Sequence, residues 1–176
     1  MFRLTEPTRL SEFERQILPH LDAAYNLARF LTGNDQNAED VVQEASLRAF
    51  RFFESFRGEN SRVWFLSIVR NTSFTALKRN RPEEANVLFD EELHGGQRPS
   101  MDPGVALDRA HDRETVRAAI AQLPAEFREA ITLRELEGCS YKDIANIAGV
   151  PIGTIMSRLA RARRQLQMIL SKTDPK

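Results

Sequence analysis

The sequence has a single cysteine, Cys139, so no internal disulfide framework is possible and a reducing compartment is the natural setting. Its three histidines (His20, His94 and His111) are scattered without metal-ligand spacing, and no metal or other cofactor is expected. Charge of one sign is also lacking. Lys plus Arg total 25 and Asp plus Glu total 25, so an argument for a nucleic-acid partner must rest on where the charges sit. No apolar run approaches the roughly 18 residues needed to span a bilayer. The N-terminus, with Glu6, Glu12 and Glu14, lacks a signal-peptide pattern, and the expected location is the cytoplasm. There is no GxxxxGK phosphate loop, no HExxH zinc motif and no Cys–His pairing, which argues against an enzyme. Period-two strand patterns, internal repeats and low-complexity tracts are missing as well.

What is present is helical. Hydrophobic residues make up 41% and charged residues 28% of the chain, enough for packed cores. Apolar residues at Phe13, Ile17, Leu21, Ala24, Ala28 and Leu31 predict one helix from Leu10 to Leu31, stopped by Gly33 and Asn34. Asp35 is placed to cap a second helix with the stripe Ala38, Val41, Val42, Ala45, Ala49, Phe52, Phe53 and Phe56. After a break at Arg57 to Ser61, a third helix carries Phe65, Ile68, Val69, Thr72 and Ala76 and ends before Pro82.

From Arg81 to Asp102 the pattern dissolves into an acidic stretch punctuated by Pro82, Gly95, Gly96 and Pro99, which reads as a flexible linker. Helical stripes return at Val116, Ala119, Ile120 and Leu123, then at Phe127, Ala130, Ile131 and Leu133. The expected fold is all-α: two small helical domains at 8–81 and 103–172, joined by a linker at 82–102.

The run YKDIANIAGVPIGTIMSRLARARR, from Tyr141 to Arg164, has the spacing of a helix-turn-helix. A small residue, Ala145, suits a close helix crossing, Gly149 suits a left-handed turn, and Ile155 faces the core. On the second helix Thr154, Ser157, Arg158, Arg161 and Gln165 lie about 120° from the buried stripe, a face suited to a DNA major groove. The plainer alternative is a solvated cationic face near a helix C-terminus.

In the first domain Asp40, Gln43, Glu44 and Leu47 share a helix face away from the Phe stripe. The stretch from Arg62 to Arg81 has no acidic residue. It interleaves Arg62, Arg70, Lys78, Arg79 and Arg81 with Trp64, Phe65 and Phe74, a composition suited to single-stranded DNA. Core packing is the competing reading for Phe65 and Phe74, and equally for Trp64.

The segments NAEDVVQEASLRAFRFFESFRGE and WFLSIVRN, then AIAQLPAEFREAITLRELEGCSYKDIANIAGVPIGTIMSRLARARRQL, closely resemble the extracytoplasmic-function (ECF) sigma factors of bacterial RNA polymerase. The resemblance covers nearly the whole chain. It implies that the first domain binds core polymerase and melts and reads the −10 element, while the second reads the −35 element. It implies that Asp40, Gln43, Glu44 and Leu47 contact the β′ clamp helices. The loop Phe56, Arg57, Gly58, Glu59, Asn60 and Ser61 would hold a flipped base, and Arg62, Trp64, Arg70, Asn71 and Lys78 would line a strand-opening face. Thr154, Ser157, Arg158 and Arg161 would enter the −35 groove. The partners implied are core polymerase, promoter DNA and an anti-sigma factor. Two positions depart from the family pattern: Met156, often basic, and Thr75, often Asp. The rival reading is an autonomous helix-turn-helix transcriptional regulator.

Overall fold

The computed structural model describes residues 6–80 and 106–173, and every element among them is helical. The first lobe contains α1 (Glu6–Ile17), α2 (Leu21–Thr32), α3 (Asp35–Phe52) and α4 (Ser61–Arg79). The single helix expected over Leu10–Leu31 is divided, because Pro19 sits in a 3-10 turn at Leu18–His20 and cannot donate to a continuous α-helical ladder. The predicted stop at Gly33 holds: its φ of 81° is left-handed, and its N–H donates to the Arg29 carbonyl at 2.9 Å.

Asn34, rather than Asp35, caps α3, its side chain accepting from the Asn37 N–H at 2.7 Å. Asp35 instead pairs with Arg29 at 2.6 Å. The expected Phe stripe is also interrupted. α3 ends at Phe52 and a 3-10 turn covers Phe53–Ser55, so Phe53 is buried while Phe52 is 61% exposed.

α4 packs against α1, α2 and α3 of its own lobe and α7 of the other, which explains why its apolar residues do not form one clean stripe. Phe65, Leu66 and Val69 are fully buried. Thr72 and Ser73 are buried too, their hydroxyls donating to the carbonyls of Ile68 (2.8 Å) and Val69 (2.9 Å), so neither hydroxyl is stranded. Phe13 closes the core edge-on against Phe50 and Phe53 at 5.2 and 5.4 Å.

The second lobe comprises α5 (Ala106–Ala121), α6 (Ala125–Ile131), a π turn at Thr132–Leu136, α7 (Tyr141–Ala148) and α8 (Ile152–Thr173). The helix-turn-helix is present as its spacing predicts. Ala145 is buried at the crossing, Gly149 has φ 68° with its N–H on the Ala145 carbonyl at 2.9 Å, and Ile155, Leu159 and Ala162 are buried. Ser140 caps α7 by accepting from the Asp143 N–H at 3.1 Å. The expected linker, with Pro82, lies outside the described residues. Among the described residues no helix is long and apolar enough to cross a membrane.

Candidate nucleic-acid interface

α3 turns the stripe that begins at Asp40 away from the core. Asp40, Gln43 and Leu47 are exposed, Leu47 at 57%, and Glu44 is half-buried in a bond from Arg48 one turn later. Leu47 is the one apolar member of this assigned set. The same sequence fact produces both faces: Ala38, Val41, Ala45 and Ala49 fill the core side, leaving the other side to these residues.

The loop after α3 closes over an aromatic shelf. Phe56 and Trp64 lie 5.0 Å apart with planes tilted by 39°, and Phe53 stacks on Phe56 at 6.4 Å. Trp64 is therefore half-buried rather than core, while Phe65 is wholly core. Asn60 caps α4 by accepting from the Val63 N–H at 3.1 Å, which fixes the loop to the helix that carries the basic residues. Gly58 lets the loop lie close to the shelf: a Cβ there would stand 3.1 Å from the Phe56 ring, which would have to give by a few tenths of an ångström. Phe56, Arg57, Gly58, Glu59, Asn60, Val63 and Trp64 wall an open cleft of about 460 Å³, and Asp143 and Asn146 of α7 form its far side. Ser61 starts α4, its hydroxyl 3.4 Å from the His20 ring.

The residues assigned to strand opening do not share one face. Trp64, Asn71 and Lys78 recur every seven residues along one stripe, and Asn71 and Lys78 are exposed. Arg62 and Arg70 lie well round the helix from them by the roughly 100° advance per residue, and both turn toward the second lobe. Arg62 donates to the Glu137 carbonyl at 2.7 Å and to its carboxylate at 3.2 Å, and Asn26 of α2 donates to that carboxylate at 2.9 Å. Arg70 donates to Glu129 at 2.7 Å and lies over the Phe74 ring at 4.2 Å. Thr75 turns its hydroxyl back to the Asn71 carbonyl at 2.9 Å.

On α8, Ser157 and Arg161 are exposed and Thr154 is half-buried, so three of the four assigned residues stand on or beside an open face. Arg158 differs: its side chain is only 19% exposed and approaches Glu129 at 3.8 Å, too far for a hydrogen bond. The two atoms facing each other there have no hydrogen-bond partner among the described residues. Met156 is 54% exposed on the same helix.

Glu129 is thus a carboxylate, 1% exposed, between an arginine of each lobe. Burial pushes its pKa up, and Arg70 and Arg158 oppose that push. Glu129, Glu137 and Asn26 were not singled out from the sequence. Glu129 stands one turn before the buried Leu133, which was a visible sign that it faces inward, but its partner lies 59 residues away on another lobe.

Residues 17–83 match the model of sigma-70 region 2, and residues 113–166 match sigma-70 region 4. The chain belongs to the sigma-70 family of RNA polymerase sigma factors, in its ECF class. It is 39% identical to the RNA polymerase sigma-H factor of Pseudomonas aeruginosa over 77% of this chain and 74% of that protein. It is also 39% identical to the ECF RNA polymerase sigma-E factor of Haemophilus influenzae, over 85% of this chain and 80% of that one. Among solved structures, the sigma factor RpoE in complex with the anti-sigma factor NepR from Bartonella quintana superposes with a TM-score of 0.70. The match has 32% identity and covers 91% of this chain and 97% of that one.

Proposed function

We propose that this sigma factor brings core RNA polymerase to promoters through residues 8–81, with residues 103–172 reading the −35 element and 82–102 linking the two. Asp40, Gln43, Glu44 and Leu47 dock on the β′ clamp helices. The aromatic cleft at Phe56 to Ser61 takes an unpaired −10 base, with Trp64, Asn71 and Lys78 beside it and Arg62 and Arg70 on the strand phosphates. Thr154, Ser157 and Arg161 face the −35 groove, and Arg158 steadies α8 through Glu129 and reaches DNA from its edge. The polymerase performs the chemistry, so the chain itself is non-enzymatic and works in the cytoplasm. A protein inhibitor of the anti-sigma kind is supported by the Bartonella relative, which was crystallised with one.

The observation that carries this reading is the pairing, on one chain, of an outward apolar-in-polar α3 face with a separate helix-turn-helix reading face. An autonomous regulator needs only the second. Run-off transcription with core polymerase on a promoter library tests the reading: start sites should appear only when the protein is added. Their absence, or tight dimeric binding of the free chain to a palindrome, would overturn it.

A further inference from the structure

Half of the open face of α8 is apolar. Ile155, Leu159 and Ala162 are buried, and at the roughly 100° advance per residue the arc opposite them carries Met156, Ala160 and Gly153 on one flank and Ser157 and Arg161 on the other. All five are exposed, Met156 at 54%. Arginines at the two borders of this arc turn to carboxylates of their own lobe: Arg163 bonds Glu135 at 2.7 Å, and Arg158 approaches Glu129 at 3.8 Å. Ser157 gives its hydroxyl proton to the Thr154 carbonyl at 3.0 Å, which leaves its oxygen to accept. Gly153 is not required by the fold. A Cβ there would meet nothing within 4 Å, so a poor helix former stands in the first turn with no gain to the chain's own packing. α8 carries no acidic residue, so this face meets a phosphate-lined groove without repulsion.

We propose that Met156 and Ala160 make α8 a reader of thymine: this apolar pair takes the C5-methyl of a thymine in the −35 major groove, Gly153 admits the DNA close to the helix start, and Ser157 and Arg161 bond beside it. The inference rests on the assignment of residues 103–172 to the −35 element and deepens it by naming a base. The thymine methyl is the one apolar group on a base edge in the major groove; every other group there donates or accepts. Met156 has no N–H or O–H to offer and only a weak sulfur acceptor. Set against guanine, adenine or cytosine edges it would strip water from groups it cannot bond, whereas against a methyl it removes water from two apolar surfaces at once. Its unbranched thioether adapts to the methyl's position. Recognition helices put their N-terminal residues on base edges, and Met156 lies in the second turn of α8. Ala160 follows one turn later, about 6 Å along the axis, which confines the pair to neighbouring base pairs.

The test uses holoenzyme assembled from core polymerase and the full chain, with promoter duplexes randomised across the upstream element. Selection by binding defines the element. Each of its thymines is then replaced singly by deoxyuridine, which removes the C5-methyl and leaves every hydrogen-bonding group in place. At one or two neighbouring pairs this should weaken holoenzyme binding about fourfold, the effect of one buried methyl group, read by gel-shift titration. Met156→Ala should bind the thymine duplex weaker by a similar factor and lose the deoxyuridine effect, with circular dichroism and affinity for core unchanged because the side chain is exposed. Met168→Ala is the control. Met168 is 52% exposed on the same helix but lies about 18 Å further along it, so this variant should keep both the affinity and the deoxyuridine effect. An element selected without thymine on either strand, no deoxyuridine effect at any position, or an effect undiminished in Met156→Ala would overturn the inference and leave the −35 assignment standing. Enrichment of no upstream sequence at all would reject that assignment, and the inference with it.

Discussion

α3 and α4 are neighbours in one core, yet they treat their assigned residues in opposite ways. α3 holds Asp40, Gln43 and Leu47 in solvent, and its only half-buried member, Glu44, is tied to Arg48 on the same helix. α4 commits Arg62 and Arg70 to carboxylates 75 and 59 residues further along the chain. The assigned face of α3 is open to a partner, whereas the two α4 arginines are already engaged by carboxylates of the second lobe. The difference comes from position. α3 lies on the outside of the first lobe, and α4 is the helix that touches α7.

The largest expected effect compares the ion pairs of these two helices. Arg70→Ala leaves Glu129 buried, with only the long approach of Arg158 remaining, and loss of one partner from a buried pair typically costs about 3–5 kcal/mol. Arg48→Ala on α3 removes an i,i+4 pair whose two side chains are both about 40% open to solvent, worth no more than about 0.5 kcal/mol. Urea denaturation of the two variants checks this. Equal costs would break the contrast. A cost for Arg70→Ala well under the buried-pair range would show that the lobes separate and return Glu129 to water.

Much of α3 and of the helix-turn-helix was legible because local spacing suffices for both. The interval from Ala145 to Gly149 to Ile155 specifies a crossing, a left-handed turn and a core contact, all within eleven residues of chain. Errors arose where one residue overrode a pattern. Pro19 splits an otherwise continuous stripe, and the 3-10 turn after Phe52 leaves that ring outside. The π turn at Thr132–Leu136, which leads into Glu137, has no periodic signature. The carboxylates on Arg62 and Arg70 were illegible for a different reason. Helical periodicity says which way a side chain faces on its own helix but not which helix, many residues away, will face it.

The second effect, of middle size, sharpens the comparison by finding where α3 and α4 agree. Both begin with an asparagine cap, Asn34 accepting from Asn37 at 2.7 Å and Asn60 accepting from Val63 at 3.1 Å. Either substitution to Ala should cost about 1 kcal/mol, because each strips one partner from a helix N-terminus that water can partly replace. Thermal melts should place the two variants together. Single-strand binding should separate them, since Asn60 lines the aromatic cleft and Asn34 does not. Equal losses of binding would remove the cleft from the interface.

The smallest expected effect is in the pH dependence, where two groups beside α4 oppose one another. His20 has its pKa lowered, first by burial and then by the charge of Arg62, so its neutral form is the one the fold favours. Its contribution is present above the ordinary imidazole value near 6.5 and is lost as pH falls through the lower folded value. Glu129 has its pKa raised by burial, against Arg70 on α4 and Arg158 on α8 and with Glu126 adding to the rise on α6. Its contribution is therefore present below the ordinary carboxyl value near 4.5 and is lost as pH rises through the higher folded value. Acidification from neutral costs stability at His20 and returns it at Glu129, and the two windows approach each other from opposite ends. The wild-type melting temperature should accordingly fall less in acid than the His20 loss alone would make it. Glu129→Gln, which keeps the volume and an acceptor for Arg70 but cannot titrate, should expose the His20 loss, so that this variant melts lower in acid than at neutral pH. His20→Gln should expose the opposite slope and melt higher in acid. Parallel curves for both variants and the wild type would show that neither group governs the acid response, and that the arginines of α4 are not what sets it.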